Sequence, residues 1–213
     1  MDKKKFVKML LPYIRKYVQM YGYNDVVEGA IVAQAACESA WGDSSLAKKY
    51  HNYFGMKCGS SWKGSSINMA TKEEYTPGTL TKIKDNFRAY DCLENGIAGY
   101  FDFIKAKRYS PLKKCATPEE YIKALKACGW ATSSTYVKTL TNLYYTVAPL
   151  IDESGQRETG REEVNTDEYK IEAMARDVIR GAYGNGSRRR AMLGPYYQAV
   201  QARVNEILKR TYG

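Results

Sequence analysis

Apolar residues recur along this chain in two rhythms, and the switches between them mark its elements. Phe6, Met9, Leu10, Tyr13, Ile14, Tyr17 and Val18 repeat at three- and four-residue steps, which predicts an amphipathic first helix. Val27, Ala30, Ile31, Gln34, Ala35 and Glu38 repeat in the same way and predict a helix over Val26–Ala40, stopped by Gly42 and Asp43-Ser44-Ser45. Beyond Gly59 the period falls to two. Ile67, Met69 and Thr71 share one face, Leu80 and Lys82 alternate with Thr81 and Ile83, and Pro77-Gly78 between them is a type II turn signal. A hairpin of about 67–75 and 79–87 follows. Helical spacing resumes over Leu93–Ala106, Thr117–Ala127 and Ser134–Leu150, and Thr117-Pro118-Glu119-Glu120 is a cap followed by Pro at the first helical position.

The rhythm then stops. Residues 152–166 carry a single aliphatic side chain, Val164, among charged residues and glycines, and read as a hydrophilic linker. Ile171, Met174, Ala175, Val178 and Ile179 restart a helical pattern, with Val200, Val204 and Leu208 later. The expected organisation is a mainly α protein. An α+β domain with a small hairpin lobe spans 1–151, and a small three-helix module spans 167–213.

Composition narrows the chemistry. The 213 residues are 44% hydrophobic, with 19 Tyr against 5 Phe, and no stretch approaches the ~20 apolar residues of a membrane span. A net charge of +10 points to an anionic partner. Zinc-finger spacing, RNA-binding aromatic signatures and basic helices with heptads are absent from the sequence, which argues against nucleic acid. The single histidine, His51, nearly excludes a His-based metal site or a Ser-His triad. Five cysteines, without C-x-x-C spacing, suit a protein kept reduced, with buried thiols packing as small hydrophobes. Lys8, Pro12, Arg15 and Lys16 interrupt what would otherwise imitate a signal peptide, so no export signal is expected.

The chemistry concentrates at Glu38. Its spacing sets a carboxylate on an apolar stripe in the last turn of a helix, and such partial desolvation raises a carboxyl pKa as a general acid requires. A solvated or Lys-paired carboxylate is the competing reading. Around it, Glu38-Ser39-Ala40-Trp41-Gly42, Leu46-Ala47-Lys48-Lys49, Asn52-Tyr53-Phe54-Gly55-Met56-Lys57, Phe87-Arg88-Ala89-Tyr90-Asp91 and Gly129-Trp130-Ala131-Thr132 with Tyr136 follow in order. Over about residues 5–150 this series resembles the glucosaminidase family of bacterial and phage peptidoglycan hydrolases, glycoside hydrolase family 73. The resemblance implies a lysozyme-like α fold with a hairpin lobe and cleavage of peptidoglycan glycan after N-acetylglucosamine.

Under that resemblance Glu38 is the general acid. A second carboxylate is expected from the hairpin, Glu73 or Glu74. Strand alternation sends neighbours to opposite faces, and Thr71-x-Glu73 favours Glu73. Tyr136 matches a family tyrosine near the scissile bond, in competition with a plain structural role. Asn52, Phe54 and Gly55 match a supporting loop. Tyr53, Trp62, Tyr90 and Trp130 are candidate sugar-groove residues, with core packing the alternative for Tyr53, Trp62 and Tyr90. The resemblance implies no metal and no organic cofactor.

Near the C-terminus, Asp177-Val178-Ile179-Arg180-Gly181-Ala182-Tyr183-Gly184-Asn185-Gly186-Ser187-Arg188-Arg189 with Gln201-Ala202-Arg203-Val204-Asn205 is similar to the cell-wall-binding repeat first named from a streptococcal phage lysozyme. Asp177, Asn185 and Arg189 are its expected ligand-facing residues, and Tyr183 stands where Trp is usual. A dimerisation or linker module is the competing reading. The combined expectation is a phage endolysin, an endo-β-N-acetylglucosaminidase held in the host cytoplasm, released through a holin and bound to bacterial peptidoglycan. The rivals are a lytic transglycosylase of the same fold and a non-catalytic wall-binding or phage structural protein. The sequence gives no oligomeric state.

Overall fold

The computed structural model of the chain describes the backbone of residues 1–76, 79–153, 166–179, 181 and 183–212, with side chains except at 72–76, 79, 80, 82, 152, 153, 166–170, 173, 211 and 212. It divides into two compact units, 1–158 and 159–213. Linker residues 154–165 and the turn at Pro77-Gly78 lie outside the described residues.

In the first unit, helix α1 (Lys3–Met20) starts at Asp2, whose carboxylate accepts from the Lys5 amide at 2.9 Å. Its buried face is Phe6, Val7, Leu10, Leu11, Ile14, Tyr17 and Val18, so the stripe is turned from the expected one and Met9 and Tyr13 lie at its margin. A 3-10 turn over Asp25–Val27 leads into α2 (Glu28–Ser39). This helix is not amphipathic: every residue from Gly29 to Ala36 is buried, because α1, α5 (Pro118–Ala127) and α6 (Tyr136–Glu153) pack around it. Small side chains make that possible. A Cβ on Gly29 would stand 2.9 Å from the Tyr144 ring.

A short helix α3 (Ser45–Tyr50), not expected from the sequence pattern, starts at the Ser44 cap. The hairpin is present as β1 (Ser66–Thr76) and β2 (Thr79–Arg88), paired from Ser66↔Arg88 to Glu74↔Leu80 with an irregularity between Glu74 and Thr76. Its base is fastened to the loop before it: Arg88 donates its amide to Met56 and Cys58 donates to Asn86, at 2.9 and 2.8 Å. Helix α4 (Leu93–Ile104) follows, then a 3-10 segment, Lys107–Lys114. Gly96 lets α4 touch the turn after α3, since a Cβ there would meet the His51 carbonyl at 1.9 Å.

The second unit contains α7 (Thr166–Ile179), α8 (Gly186–Leu193) and α9 (Tyr197–Tyr212), joined by a 3-10 turn over Gly194–Tyr196. Ala175, Val178, Leu193, Val200 and Val204 form its core. Glu172, only 4% exposed, is held between Arg176 and Arg203 and ties α7 to α9. All five cysteines are unpaired, and their burial differs from expectation: Cys115 is buried, Cys37, Cys58 and Cys128 are half-buried, and Cys92 is exposed. Among the described residues no helix is long and apolar enough to cross a membrane.

Candidate active site

Glu38 lies in the last turn of α2, just before the backbone takes an uncommon turn. Ala40 and Trp41 sit at φ 50 and 57, followed by Gly42 at φ 77, so the left-handed region is entered two residues before the glycine expected to stop the helix. Non-glycine residues there cost of order 1–3 kcal/mol each, and the surroundings must hold them in place. Ser39 does part of this. Its hydroxyl donates to the Ala35 carbonyl at 2.6 Å and accepts from the Gly42 amide at 2.8 Å. Trp41 packs edge-on against Phe6, with ring centroids 5.6 Å apart.

The carboxylate is addressed by two donors from far along the chain. The Trp130 indole N–H and the Tyr136 hydroxyl both donate to Oε1 of Glu38, at 3.0 and 3.2 Å. Burial raises the Glu38 pKa, and these two hydrogen bonds oppose the rise by favouring the ionised form. Burial and the Glu38 charge in turn push the Tyr136 hydroxyl well above its ordinary value, so it stays a proton-bearing donor. Because Oε1 accepts twice, a proton on this carboxyl belongs on Oε2. That oxygen lies beside Gly55 (φ +63), where a Cβ would stand 3.9 Å away.

The loop carrying Gly55 is fixed by Asn52, 1% exposed. Its Nδ2 donates to the Met56 and Arg88 carbonyls and its Oδ1 accepts from the Met56 amide, all at 2.9 Å. Phe54 stacks on Tyr100 at 3.9 Å. Tyr100 joins Gln34, one turn below Glu38, and Tyr121 through buried hydroxyl contacts of 2.7 and 2.6 Å.

Trp130 and Tyr136 are set by the segment between them. Lys126, at the end of α5, donates from Nζ to the carbonyls of Ala131, Thr132 and Ser133 at 2.9, 2.6 and 2.7 Å. Neither this clamp nor the Trp130–Glu38 bond was expected from the sequence. Trp130 stood as a sugar-groove candidate; the structure instead packs its ring against Tyr100, Phe103 and Tyr109 and aims its N–H at the acid.

Other candidates separate. Tyr53 is a core residue, 5% exposed and packed towards Phe6, which corrects its assignment to a sugar groove. Tyr90 is fitted against Gly99, whose Cβ would meet its hydroxyl at 2.3 Å, and that hydroxyl is buried. Tyr90 therefore serves packing more than sugar contact, and its exposed neighbourhood belongs to Trp62, which meets it edge-on at 5.8 Å. Strand pairing sets Glu73 opposite Thr81 and Glu74 opposite Leu80. The side chains of Glu73 and Glu74 lie outside the described residues, and with them the choice between the two. Among the described residues no cluster of His, Cys, Asp or Glu suits a metal ion.

In the second unit the structure brings Asn185 and Arg189 together. Arg189 donates to the Gly184 carbonyl, Gln201 Oε1 and Asn185 Oδ1 at 3.0, 3.1 and 3.0 Å, so its guanidinium is oriented by neutral acceptors. Tyr183 packs against that unit's core and Asp177 is half-buried on α7.

Comparison with known proteins agrees with this arrangement. Residues 12–148 match the family model described as mannosyl-glycoprotein endo-beta-N-acetylglucosaminidase, and residues 172–208 match the CW_7 repeat. The peptidoglycan hydrolase FlgJ of Pseudomonas aeruginosa is 32% identical over 144 residues, covering 65% of this chain and 35% of that protein. The exo-glucosaminidase LytG of Bacillus subtilis is 30% identical over 128 residues, covering 57% of this chain and 44% of that protein. The chain thus spans less than half the length of each of these relatives. Among solved structures, a peptidoglycan hydrolase from Sphingomonas sp. A1 superposes with a TM-score of 0.62 at 26% identity, covering 75% of this chain and 99% of that one. The glycoside hydrolase domain of FlgJ from Salmonella typhimurium gives 0.59 at 28% identity, covering 73% and 94%. The fold is lysozyme-like.

Proposed function

The chain belongs to this glucosaminidase family, and from that membership we propose that it hydrolyses the N-acetylglucosaminyl-β-1,4-N-acetylmuramyl bond within bacterial peptidoglycan, its C-terminal repeat binding the wall. The observation that carries the reading is the double donation to one oxygen of the half-buried Glu38. Desolvation raises the pKa of this carboxyl against the pull of its two donors, and because both donors use Oε1 its proton belongs on the oxygen facing the Gly55 loop. There it is placed to protonate a glycosidic oxygen as the bond breaks, while positive charge develops on the sugar ring. Delivery of water to the anomeric carbon then falls to the hairpin, and Glu73 is the proposed partner. Glu73→Ala is expected to cost more turnover than Glu74→Ala, and the reverse ranking would reassign the role.

The one-repeat module is proposed to hold the enzyme on its polymeric substrate through Asp177, Asn185 and Arg189, the last pre-set by its three hydrogen bonds. Five unpaired thiols support synthesis in a reducing compartment, as for an endolysin made in a host cytoplasm. Mass spectrometry of digested peptidoglycan tests the reaction. Hydrolysis leaves reducing N-acetylglucosamine ends. Anhydro-muramic ends would instead assign a lytic transglycosylase, and intact glycan would leave wall binding alone.

A further inference from the structure

Phe103, half-buried near the end of α4, meets the edge of Trp130 at 5.5 Å and so lies one ring away from Glu38. Two guanidinium groups rest on it. Arg88, at the end of β2, has its Cζ 5.1 Å from the Phe103 centroid and 4.4 Å from that of Trp62, and its Nε donates to the Lys57 carbonyl at 3.1 Å. Arg108 stands 5.7 Å from Phe103 and 4.6 Å from Tyr109, and its Nη2 donates to the Tyr109 hydroxyl at 2.9 Å. Among the described residues neither arginine has a salt bridge, although Arg15, Arg176, Arg203 and Arg210 all do. The acid nearest in sequence to this ring, Asp102, is engaged by Tyr21 and Lys105.

Aromatic stacking holds both forks in place, with Arg88 anchored on the Lys57 carbonyl beside the Tyr90 hydroxyl and Arg108 on the Tyr109 hydroxyl, and a stacked fork without a carboxylate partner is how a protein pre-organises a carboxylate receptor. From this cluster, and resting on the glucosaminidase reading above, we infer that Arg88 and Arg108 form an anion subsite on the Phe103 platform. It takes a carboxylate of the muramyl side of the substrate, either on the stem peptide or on the lactyl group. The subsite makes peptide-substituted glycan a better substrate than a neutral sugar polymer, by holding the muramyl unit while Glu38 acts on the neighbouring bond.

The test couples each arginine to the substrate charge. The full-length chain is assayed by reducing-end release on soluble peptidoglycan strands bearing uncross-linked stems, and on the same strands with carboxyls amidated by carbodiimide and ammonium. Wild type should lose on the order of 10- to 100-fold in kcat/KM when the carboxylates are amidated, the range set by one or two charge-assisted bonds. Arg108→Gln and Arg88→Lys should lose a similar factor together on native strands and show little further loss on amidated ones. Arg108 is exposed and its variant keeps the fold, so the result does not depend on Arg88 alone. Strands stripped of stems by an amidase carry only the lactyl carboxylate, and coupling that survives there assigns that group. Equal loss by the variants on native and amidated strands, or no loss on either, overturns the subsite. Absence of hydrolysis by wild type on every strand overturns the glucosaminidase reading instead.

Discussion

Replacing Glu38 by Gln removes one proton and almost no volume. A glutamine can keep its Oε1 as the acceptor for both Trp130 and Tyr136, and its amide then occupies the Oε2 position beside Gly55. The local geometry therefore survives and the chemistry does not, so turnover should fall on the order of 10²-fold or more. Stability should move the other way. Burial lifts the Glu38 pKa in the fold above its unfolded value, so this group favours the folded state at low pH. That contribution is lost as pH rises through the folded pKa, where the half-buried carboxyl must ionise. A neutral amide escapes the loss. The variant should match wild type in acid and melt higher towards neutral and alkaline pH. Each kcal/mol so relieved is worth about 2–4 °C in a chain of this size. Reducing-end release and thermal melts across pH 4–9 read both effects. Retention of more than about a tenth of wild-type turnover, or a variant that melts lower than wild type at neutral pH, would refute the reasoning.

Trp130→Phe deletes the indole donor that lowers the Glu38 pKa, so the alkaline limb of the pH–rate profile should move to higher pH, with roughly a tenfold loss at its plateau from looser orientation; a limb that stays put would mean that another group sets it. Gly96→Ala drives a methyl into the His51 carbonyl and should cost about 3 kcal/mol or more, seen as a fall of some 6–12 °C in Tm, whereas an unchanged Tm would show that α4 can shift away. A fragment of residues 1–153 should retain turnover on soluble glycan and lose rate on intact walls, while residues 166–213 should pellet with walls without cutting them. An insoluble first fragment would mean that the second unit braces the first.

Much of this architecture is legible in the spacing of apolar residues, and the exceptions have physical causes. The stripe from Phe6 to Val18 announces α1, and the alternation from Ile67 to Ile83 announces the hairpin, because each element buries one face. Helix α2 misleads in the opposite sense. Its alanines and Gly29 are buried all round, and periodicity cannot distinguish a one-sided helix from a central one. Helix α3 escapes notice because it buries Ala47 alone. At the site, Glu38 is readable from its place on an apolar stripe, but its donors are not. Trp130 and Tyr136 lie 92 and 98 residues away, and only the folded chain brings them to the same oxygen. Likewise, the sequence offers Gly42 as the helix stop, whereas the turn begins at Ala40, a residue no local rule would place in the left-handed region.

The ammonium group of Lys126 gathers three successive carbonyls, a task that loops in other proteins give to an exchangeable ion. Here the cation is covalently attached, so neither dialysis nor a chelator can strip it. It is open to a different insult. Acylating that one amine would remove the charge and release all three carbonyls in the segment that positions Trp130 and Tyr136. Anyone attaching this protein to a resin or surface through amine-reactive esters would risk silencing it while leaving it folded. The exposed thiol of Cys92 offers a handle that leaves Lys126 untouched.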